Sequence, residues 1–184
     1  LEAHPPAAAT PDADGKLPLA LALTRSDTSD DAAMLLAEAA PDADGKLPLA
    51  LALARNDTSD DAAMLLAEAA PEEVGADGRT PLHLAAAAGR SAELLRRVLQ
   101  AHPPAAATPD ADGKLPLALA LARGDTSDDA ATLLAGAAPD AGGADGRTPL
   151  HLAAAAGRSA ELLRRMLALS PAWAKSVDAN GKTP

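Results

Sequence analysis

The thirteen residues DGRTPLHLAAAAG occur twice in the chain, at 77–89 and again at 145–157. In each copy Thr precedes Pro, which favours a helix capped by Thr with Pro at its first position, where a missing N–H costs nothing. The run LHLAAAA continues that helix, and the Gly suits the left-handed position beyond a helix end. The segment therefore predicts a short helix that starts at Pro81 or Pro149 and stops at Gly89 or Gly157.

A second helix is predicted directly after each of these segments. It begins near Ser91, and Glu93 and Arg97 are spaced i, i+4 on its exposed side. Its apolar stripe, spaced for one helical face, consists of Leu94, Leu95, Val98 and Leu99. The sequence thus predicts pairs of short antiparallel helices joined by turns.

The helix pairs belong to a longer internal repeat. Residues 41–97 align with 109–165 at an offset of 68, and only six of those 57 positions differ. A recurring Gly-x-x-Pro step, at prolines spaced by 30 to 35 residues, marks shorter units inside this block. A period near 33 is typical of a solenoid of stacked supersecondary units.

The units are of two kinds, which alternate irregularly. Type 1 reads DADGKLPLALALARNDTSDDAAMLLAEAAP, and type 2 reads GADGRTPLHLAAAAGRSAELLRRVLQAHPPAA. We expect five units in the order 1, 1, 2, 1, 2, at 12–41, 42–74, 75–109, 110–142 and 143–177. Residues 1–11 resemble the tail of an earlier unit and 178–184 the start of a further one, so we expect a fragment of a longer array.

Composition limits the possible function. Ala and Leu contribute 51 and 30 of the 184 residues, Trp173 is the only aromatic, and there is no Cys, Phe or Tyr. The lack of Cys excludes disulfides and thiol chemistry and fits a reducing compartment. A net charge of −10 and the absence of aromatic stacking residues argue against nucleic acid. No apolar run approaches the length of a membrane span, and no signal peptide is visible.

The repeated DGRTPLHLAAAAG segment, with its turn, Thr-Pro-Leu-His, paired Ala and Gly stop, resembles the ankyrin repeat. The resemblance implies an all-α fold, an ankyrin-type helix-turn-helix solenoid with short hairpin turns between repeats. Type 1 units depart from the pattern, because Leu115 replaces the Thr and Ala118 replaces the His. Their other copies carry Leu17, Leu47, Ala20 and Ala50 at these positions. We expect type 1 units to be looser, since they lack a cap and a side-chain hydrogen bond.

Possible chemical sites have simpler structural explanations. His83 and His151 are expected to hydrogen-bond Thr80 and Thr148 rather than to act in catalysis. The Asp-x-Asp-Gly turns lack the third ligand and the closing Glu of a calcium loop, so they are predicted to be hairpins. Ser29, Ser59 and Ser127 stand at helix starts, where capping explains them. The sequence therefore predicts no enzyme, no metal site and no cofactor.

Ankyrin arrays bind other proteins through their concave face and hairpin tips, and the resemblance carries these positions over to this chain. The tip positions are Asp14, Lys16, Asp44, Lys46, Asp77, Arg79, Asp112, Lys114, Asp145 and Arg147. The helix-end positions are Arg25, Arg55 and Arg123. We expect a concave face of alternating charge with a modest basic bias. Trp173 is the candidate binding hot spot, and packing against a following unit is the alternative that we favour for it.

The sequence thus predicts a non-catalytic scaffold that binds a partner protein, without nucleic acid contact or membrane insertion. Two alternatives stay open: a structural linker or peripheral subunit of a large assembly, organellar ones included, and the targeting arm of a longer multidomain protein. The expected location is intracellular and cytoplasmic, and a plastid placement stays open.

Overall fold

The computed structural model of the chain describes residue 60, residues 74–143 and residues 145–184. The expected units 12–41 and most of 42–74 lie outside these residues. The described α-helices are α1 (Pro81–Ala87), α2 (Ala92–Ala101), α3 (Pro116–Ala122), α4 (Asp128–Ala137), α5 (Pro149–Ala155) and α6 (Ala160–Leu169). Short 3₁₀ helices follow α2 at Pro103–Ala107 and α6 at Pro171–Lys175.

The helices form two layers. Helices α1, α3 and α5 pack side by side in the first layer, α2, α4 and α6 do the same in the second, and each pair within a unit packs across the layers. Within the described residues the chain is helical and contains no strand. The all-α solenoid predicted from the repeats is therefore confirmed. None of the described helices is long and apolar enough to cross a membrane.

The core between the layers is made of Leu and Ala. Leu82, Leu94, Leu95, Leu162 and Met166 are the large apolar side chains with at most 1% exposure. The fully buried Ala residues let neighbouring helices approach closely, and they are Ala85, Ala120, Ala130, Ala131, Ala135 and Ala153. The stripe predicted for the second helix of unit 75–109, Leu94 to Leu99, is buried.

Each helix starts where the sequence predicts. Ser91, Ser127 and Ser159 cap the second-layer helices, each accepting a hydrogen bond at Oγ from the backbone N–H three residues on, at 3.0–3.2 Å. Thr80 and Thr148 stand before the first-layer helices of the type 2 units. Leu115 precedes α3 without any side-chain cap. Thr148 Oγ1 accepts from the His151 backbone N–H at 3.5 Å, which is the cap expected for a type 2 unit. The relative looseness of the two kinds of unit stays a prediction.

Five-residue hairpin turns project from the start of each first-layer helix. In unit 110–142, Asp110 N–H donates to the Lys114 carbonyl at 2.9 Å, and Gly113 N–H donates to the Asp110 carbonyl at 2.9 Å. Gly78 has φ +73° in its turn, and a Cβ there would lie 2.7 Å from the backbone nitrogen of Ala111. Only Gly permits both the backbone angle and this close approach of the next hairpin.

Candidate functional site

A groove opens between two neighbouring hairpins, on the side of the first helix layer. We call it the hairpin groove, and its volume is about 420 Å³. Its floor comes mainly from α3 and α5, and its rim comes from the hairpin tips. Its lining residues are Asp112, Gly113, Lys114, Leu115, Ala118, Leu119, Ala122, Gly143, Asp145, Arg147 and Leu152.

The hairpin groove lies at the second junction, between units 110–142 and 143–177. At the first junction, between units 75–109 and 110–142, two side chains link adjacent units at this edge. Nε2 of His83 lies 3.0 Å from the Lys114 carbonyl, and Nε of Arg79 lies 3.5 Å from Oδ2 of Asp110. At the second junction Ala118 stands in the position of that His, and Gly143 in the position of that Asp. The second junction therefore lacks both of these side-chain links at the edge where the hairpin groove lies.

The floor of the hairpin groove is apolar. Ala118, Leu119 and Leu152 are half-buried, and Ala122 is exposed at the end of α3. These side chains offer apolar surface that an entering apolar side chain would remove from water. The tip-based expectation missed this floor, because it considered only charged residues. The departures from the repeat pattern at Ala118 and Gly143 were the signal in the sequence that could have located it.

The rim of the hairpin groove carries balanced charge. Lys114 Nζ lies 3.6 Å from Oδ2 of Asp112. Arg147 Nε lies 3.1 Å from Oδ2 of Asp145 and 3.7 Å from Oδ2 of Asp178. The tip residues predicted to face a partner do meet in one place here, namely Asp112, Lys114, Asp145 and Arg147. Each base has an acidic neighbour, so the expected basic bias is absent from this rim.

The other predicted tip residues do not line the hairpin groove. Asp77 and Arg79 lie in the preceding hairpin, where Arg79 contacts both Asp77 and Asp110 at 3.5 Å. The remaining predicted positions lie outside the described residues, and they are Asp14, Lys16, Arg25, Asp44, Lys46 and Arg55.

Arg123 was predicted at the partner surface, but its guanidinium is engaged within the chain. Its Nη1 donates to the carbonyl of Ala87 at 3.0 Å, which ties it to the end of α1. Its Nε and Nη2 donate to the carboxylate of Asp125 at 2.9 and 2.8 Å. Arg123 is therefore a link across the first junction, and it does not line the hairpin groove.

Trp173, the candidate hot spot, is buried and only 4% exposed. Its Nε1 donates to the carbonyl of Pro139 at 3.1 Å. The indole thus packs against the unit before it, a contact that neither expectation for this residue included. The binding role and the packing against a following unit stay predictions. The contact fills the interface between units, because a Trp whose N–H finds a partner can be buried at little polar cost.

His83 and His151 are buried, and each contacts both the Thr that precedes its own helix and the hairpin of the next unit. Nδ1 of His83 accepts from the Thr80 backbone N–H at 3.2 Å and lies 2.9 Å from Thr80 Oγ1. Because Nδ1 accepts, Nε2 carries the proton and donates to the Lys114 carbonyl. His151 repeats the arrangement with Thr148, at 2.7 Å, and with the Lys182 carbonyl, at 2.9 Å. The predicted bond to Thr is confirmed, and the link to the next hairpin was missed.

Burial and hydrogen bonds shift the pKa values of His83 and Asp110. Burial lowers the pKa of His83 below 6.5, because desolvation penalises the imidazolium. Burial acts to raise the pKa of Asp110, but the backbone N–H groups of Lys114 and Asp112, at 2.8 and 3.0 Å from its Oδ1, bring it below the usual value. The carboxylate is thus used inside its own turn, as predicted for a hairpin. Among the described residues, no three His, Asp or Glu side chains gather as a metal site would require.

A second groove lies on the opposite side, across the second helix layer. This outer groove has a volume of about 710 Å³ and runs over α4 between α2 and α6. Two of its lining residues, Thr132 and Gly136, are smaller than Met64 and Glu68, which occupy the same positions in the sequence of the sister unit 42–74. Its lining residues are Ala92, Arg96, Leu99, Gln100, Pro103, Asp129, Thr132, Leu133, Gly136, Ala137 and Arg165.

Comparison with known proteins agrees with the geometry of the type 2 units. The sequence model of the ankyrin repeat family matches the chain twice, at residues 77–109 and 145–177. No curated protein matches the chain. Ankyrin repeats generally mediate protein–protein interactions and are typically not enzymes. Both matched segments contain a helix pair, a hairpin and a Thr–His contact of this kind, so residues 77–109 and 145–177 are ankyrin repeats.

Proposed function

We propose that this chain is a non-catalytic scaffold that binds a partner protein through the hairpin groove. The observation that supports the proposal is the combination of an apolar floor and a rim of paired charges in one opening of about 420 Å³. Binding sites commonly combine an apolar surface with a few polar groups that fix orientation. The proposal includes units 12–41, 42–74 and 110–142 as further ankyrin-type repeats, which would give an array of five.

The paired rim charges favour a partner with little net charge at the contact. A strongly acidic or basic segment would have to displace Asp112 from Lys114 or Asp145 from Arg147, at 3.6 and 3.1 Å. The floor instead favours apolar side chains of the partner, because Leu119 of one unit and Leu152 of the next are both half-buried there. We therefore expect recognition to depend on apolar contact first and on the rim for orientation.

The experiment uses two variants, each of which adds larger side chains to one of the two grooves. Ala122→Arg places a long charged side chain in the hairpin groove at an exposed position, so it removes no core contact. The matched control, Thr132→Met with Gly136→Glu, fills the outer groove with the residues that the sister unit carries. Peptides selected from a random library on the unchanged chain would then be titrated against both variants by fluorescence anisotropy.

The proposal expects Ala122→Arg to weaken binding at least tenfold, while the outer-groove variant stays within twofold. Circular dichroism and the melting temperature would check that both variants fold. The opposite pattern would reject the hairpin groove. It would favour the alternative of a structural linker or peripheral subunit, whose contacts run over the second helix layer.

A further inference from the structure

The outer groove lies between two pairs of arginines. At the fifth and sixth positions after their capping Ser, α2 and α6 each carry two exposed arginines, at 96–97 and 164–165. Helix α4, which lies between them, carries Thr132 and Leu133 at the same positions, and both are half-buried. The middle of the groove therefore has shorter, uncharged side chains between two pairs of cationic ones.

The floor that α4 gives to the outer groove is apolar. The hydroxyl of Thr132 is already used, because its Oγ1 donates to the carbonyl of Asp128 at 2.6 Å. Among the described residues, a Cβ built at Gly136 would come within 4 Å only of Cδ1 and Cδ2 of Leu169, both at 3.8 Å, and Leu169 is exposed. Together with half-buried Leu133, these residues present apolar surface that a partner could remove from water.

The chemistry and width of the outer groove favour a helical segment over an extended one. Inside a helix the backbone N–H and C=O groups bond to each other, so α4 offers few of them to an extended chain. An extended segment would leave its own backbone groups unpaired against this floor, whereas a helix pairs them internally. Packed helices lie about 8–10 Å apart, so α2 and α6 are about 16–20 Å apart. That separation admits a helix about 10–12 Å across, and the groove volume of about 710 Å³ holds about one turn of it.

The arginines that line the outer groove have donors available for an acidic partner. Nη1 of Arg96 contacts Glu93. Nη1 of Arg165 donates to Asp129 at 2.6 Å, and its Nε lies 3.5 Å from Glu161. Within the described residues neither guanidinium donates a hydrogen bond from Nη2, which carries two N–H groups. The charged lining consists of two Arg and one Asp, so the groove is positive on a chain of net charge −10, and carboxylates complement it.

We propose that the outer groove binds an amphipathic helix of a partner protein, whose apolar stripe lies over α4 and whose flanking Asp or Glu residues pair with Arg96 and Arg165. This surface lies on the opposite side of the stack from the hairpin groove, so the inference does not rest on the proposed function. A second copy of the chain fits the groove poorly. With a twofold axis along α4 or across it, the arginines of α2 and α6 would face arginines of the other copy, and like charges across an interface oppose association.

The test selects helices on the unchanged chain. A phage-displayed library of peptides of about 18 residues, long enough to form a helix, keeps apolar residues at i, i+3, i+4 and i+7 and randomises the flanking positions among Glu, Lys, Gln and Ala. Enriched helices would be titrated by fluorescence anisotropy against two charge-reversed variants, with circular dichroism as the folding check. Arg96→Glu with Arg165→Glu reverses the charges that line the groove. The matched control, Arg97→Glu with Arg164→Glu, makes the same change on the same two helices outside the lining.

The inference expects Glu to be enriched over Lys at the flanking positions of the selected helices. Reversal of the lining charges should weaken binding about tenfold, and the control reversal less than about threefold at about 0.15 M salt, which screens charges that are not in contact. Replacing the flanking Glu residues of a selected helix by Lys should restore its binding to the variant with Arg96→Glu and Arg165→Glu. Thr132→Met with Gly136→Glu, which adds bulk and a negative charge to the floor, should also weaken binding of the Glu-flanked helices.

The inference is overturned if no helix is enriched, if Lys is enriched over Glu, or if both charge-reversed variants lose the same affinity. A dimer in sedimentation that Arg96→Glu with Arg165→Glu dissociates would overturn it too, by assigning the groove to a second copy of the chain. Ala122→Arg lies on the other side of the stack and should change helix binding less than about twofold. If Ala122→Arg abolishes helix binding, the helices bind the hairpin groove, so this inference fails while the proposed function stands.

Discussion

The first junction, between units 75–109 and 110–142, has side-chain links at both of its edges. At the second, between 110–142 and 143–177, the side-chain links among the described residues lie away from the hairpins. At the first, His83 and Arg79 reach the next hairpin and Arg123 reaches back to the end of α1. At the second, the described side-chain links come from Arg158, Ser159, Arg165 and Trp173. The comparison indicates that the described stack does not need the same side-chain links at every junction. The hairpin groove lies at the edge of the second junction where the described residues show no such link.

The link made by Arg158 gives the largest expected effect. Its guanidinium donates to the carbonyls of Arg123 and Gly124 at 3.2 and 3.1 Å, and to that of Thr126, and it lies 3.6 Å from Asp128. Its side chain is only 9% exposed, so Arg158→Ala leaves several acceptors without a donor. Each such loss costs about 1–3 kcal/mol. We expect the free energy of unfolding in urea to fall by about 3 kcal/mol in total.

A matched control separates this link from a general effect of losing an arginine. Arg164 is 75% exposed, and its one ion pair within the described residues is with Glu161 at 3.7 Å. Arg164→Ala should change the free energy of unfolding by less than about 0.5 kcal/mol. Equal losses in the two variants would show that the second junction does not depend on Arg158.

Removing the His83 side-chain link from the first junction should lower the stability of the chain. His83→Ala deletes the bonds to Thr80 and to the Lys114 carbonyl and leaves a cavity in a fully buried position. Lost hydrogen bonds and packing predict a decrease of about 2 kcal/mol in the free energy of unfolding. The Thr80 amide, which donates to Nδ1, should exchange with deuterium faster. An unchanged exchange rate there would contradict the assigned donor.

Adding the corresponding His and Asp side chains to the second junction should raise the stability of the chain. In Ala118→His with Gly143→Asp, the imidazole could accept from the Leu115 backbone N–H and donate to the Arg147 carbonyl, as His83 does one unit earlier. A Cβ at Gly143 would lie 3.1 Å from Oδ1 of Asp145, a flexible side-chain atom that can move. We expect a gain of about 1 kcal/mol, measured as a higher melting temperature, and weaker peptide binding. A more stable variant that still binds peptides equally well would place the binding site elsewhere.

Local structure was predictable from sequence, while contacts between units were not. The Thr-Pro step and the Ser caps fixed where helices start, because a cap and its helix lie within four residues of each other. The hairpin groove depends on Ala118 and Gly143, which are 25 positions apart and adjacent only in the stack. The contact of Trp173 with the preceding unit was missed for the same reason, since its partner carbonyl at Pro139 lies 34 residues earlier. Periodicity identifies the neighbouring unit, but it does not say which edge of the junction the side chains fill.

The smallest expected effect is a dependence of the first junction on pH. Burial lowers the pKa of His83 in the folded chain below the value of 6.5, so near and just below this pH the unfolded chain binds more protons. The stability supplied by His83 is therefore complete above pH 6.5 and is lost as the pH falls through the folded pKa. Protonation would also remove the acceptor at Nδ1 that the Thr80 N–H uses. Urea unfolding from about pH 7.5 to about pH 5.5 should show a decline that is smaller in His83→Ala. Identical declines would assign the pH dependence to other groups and leave the first junction insensitive to protonation of His83.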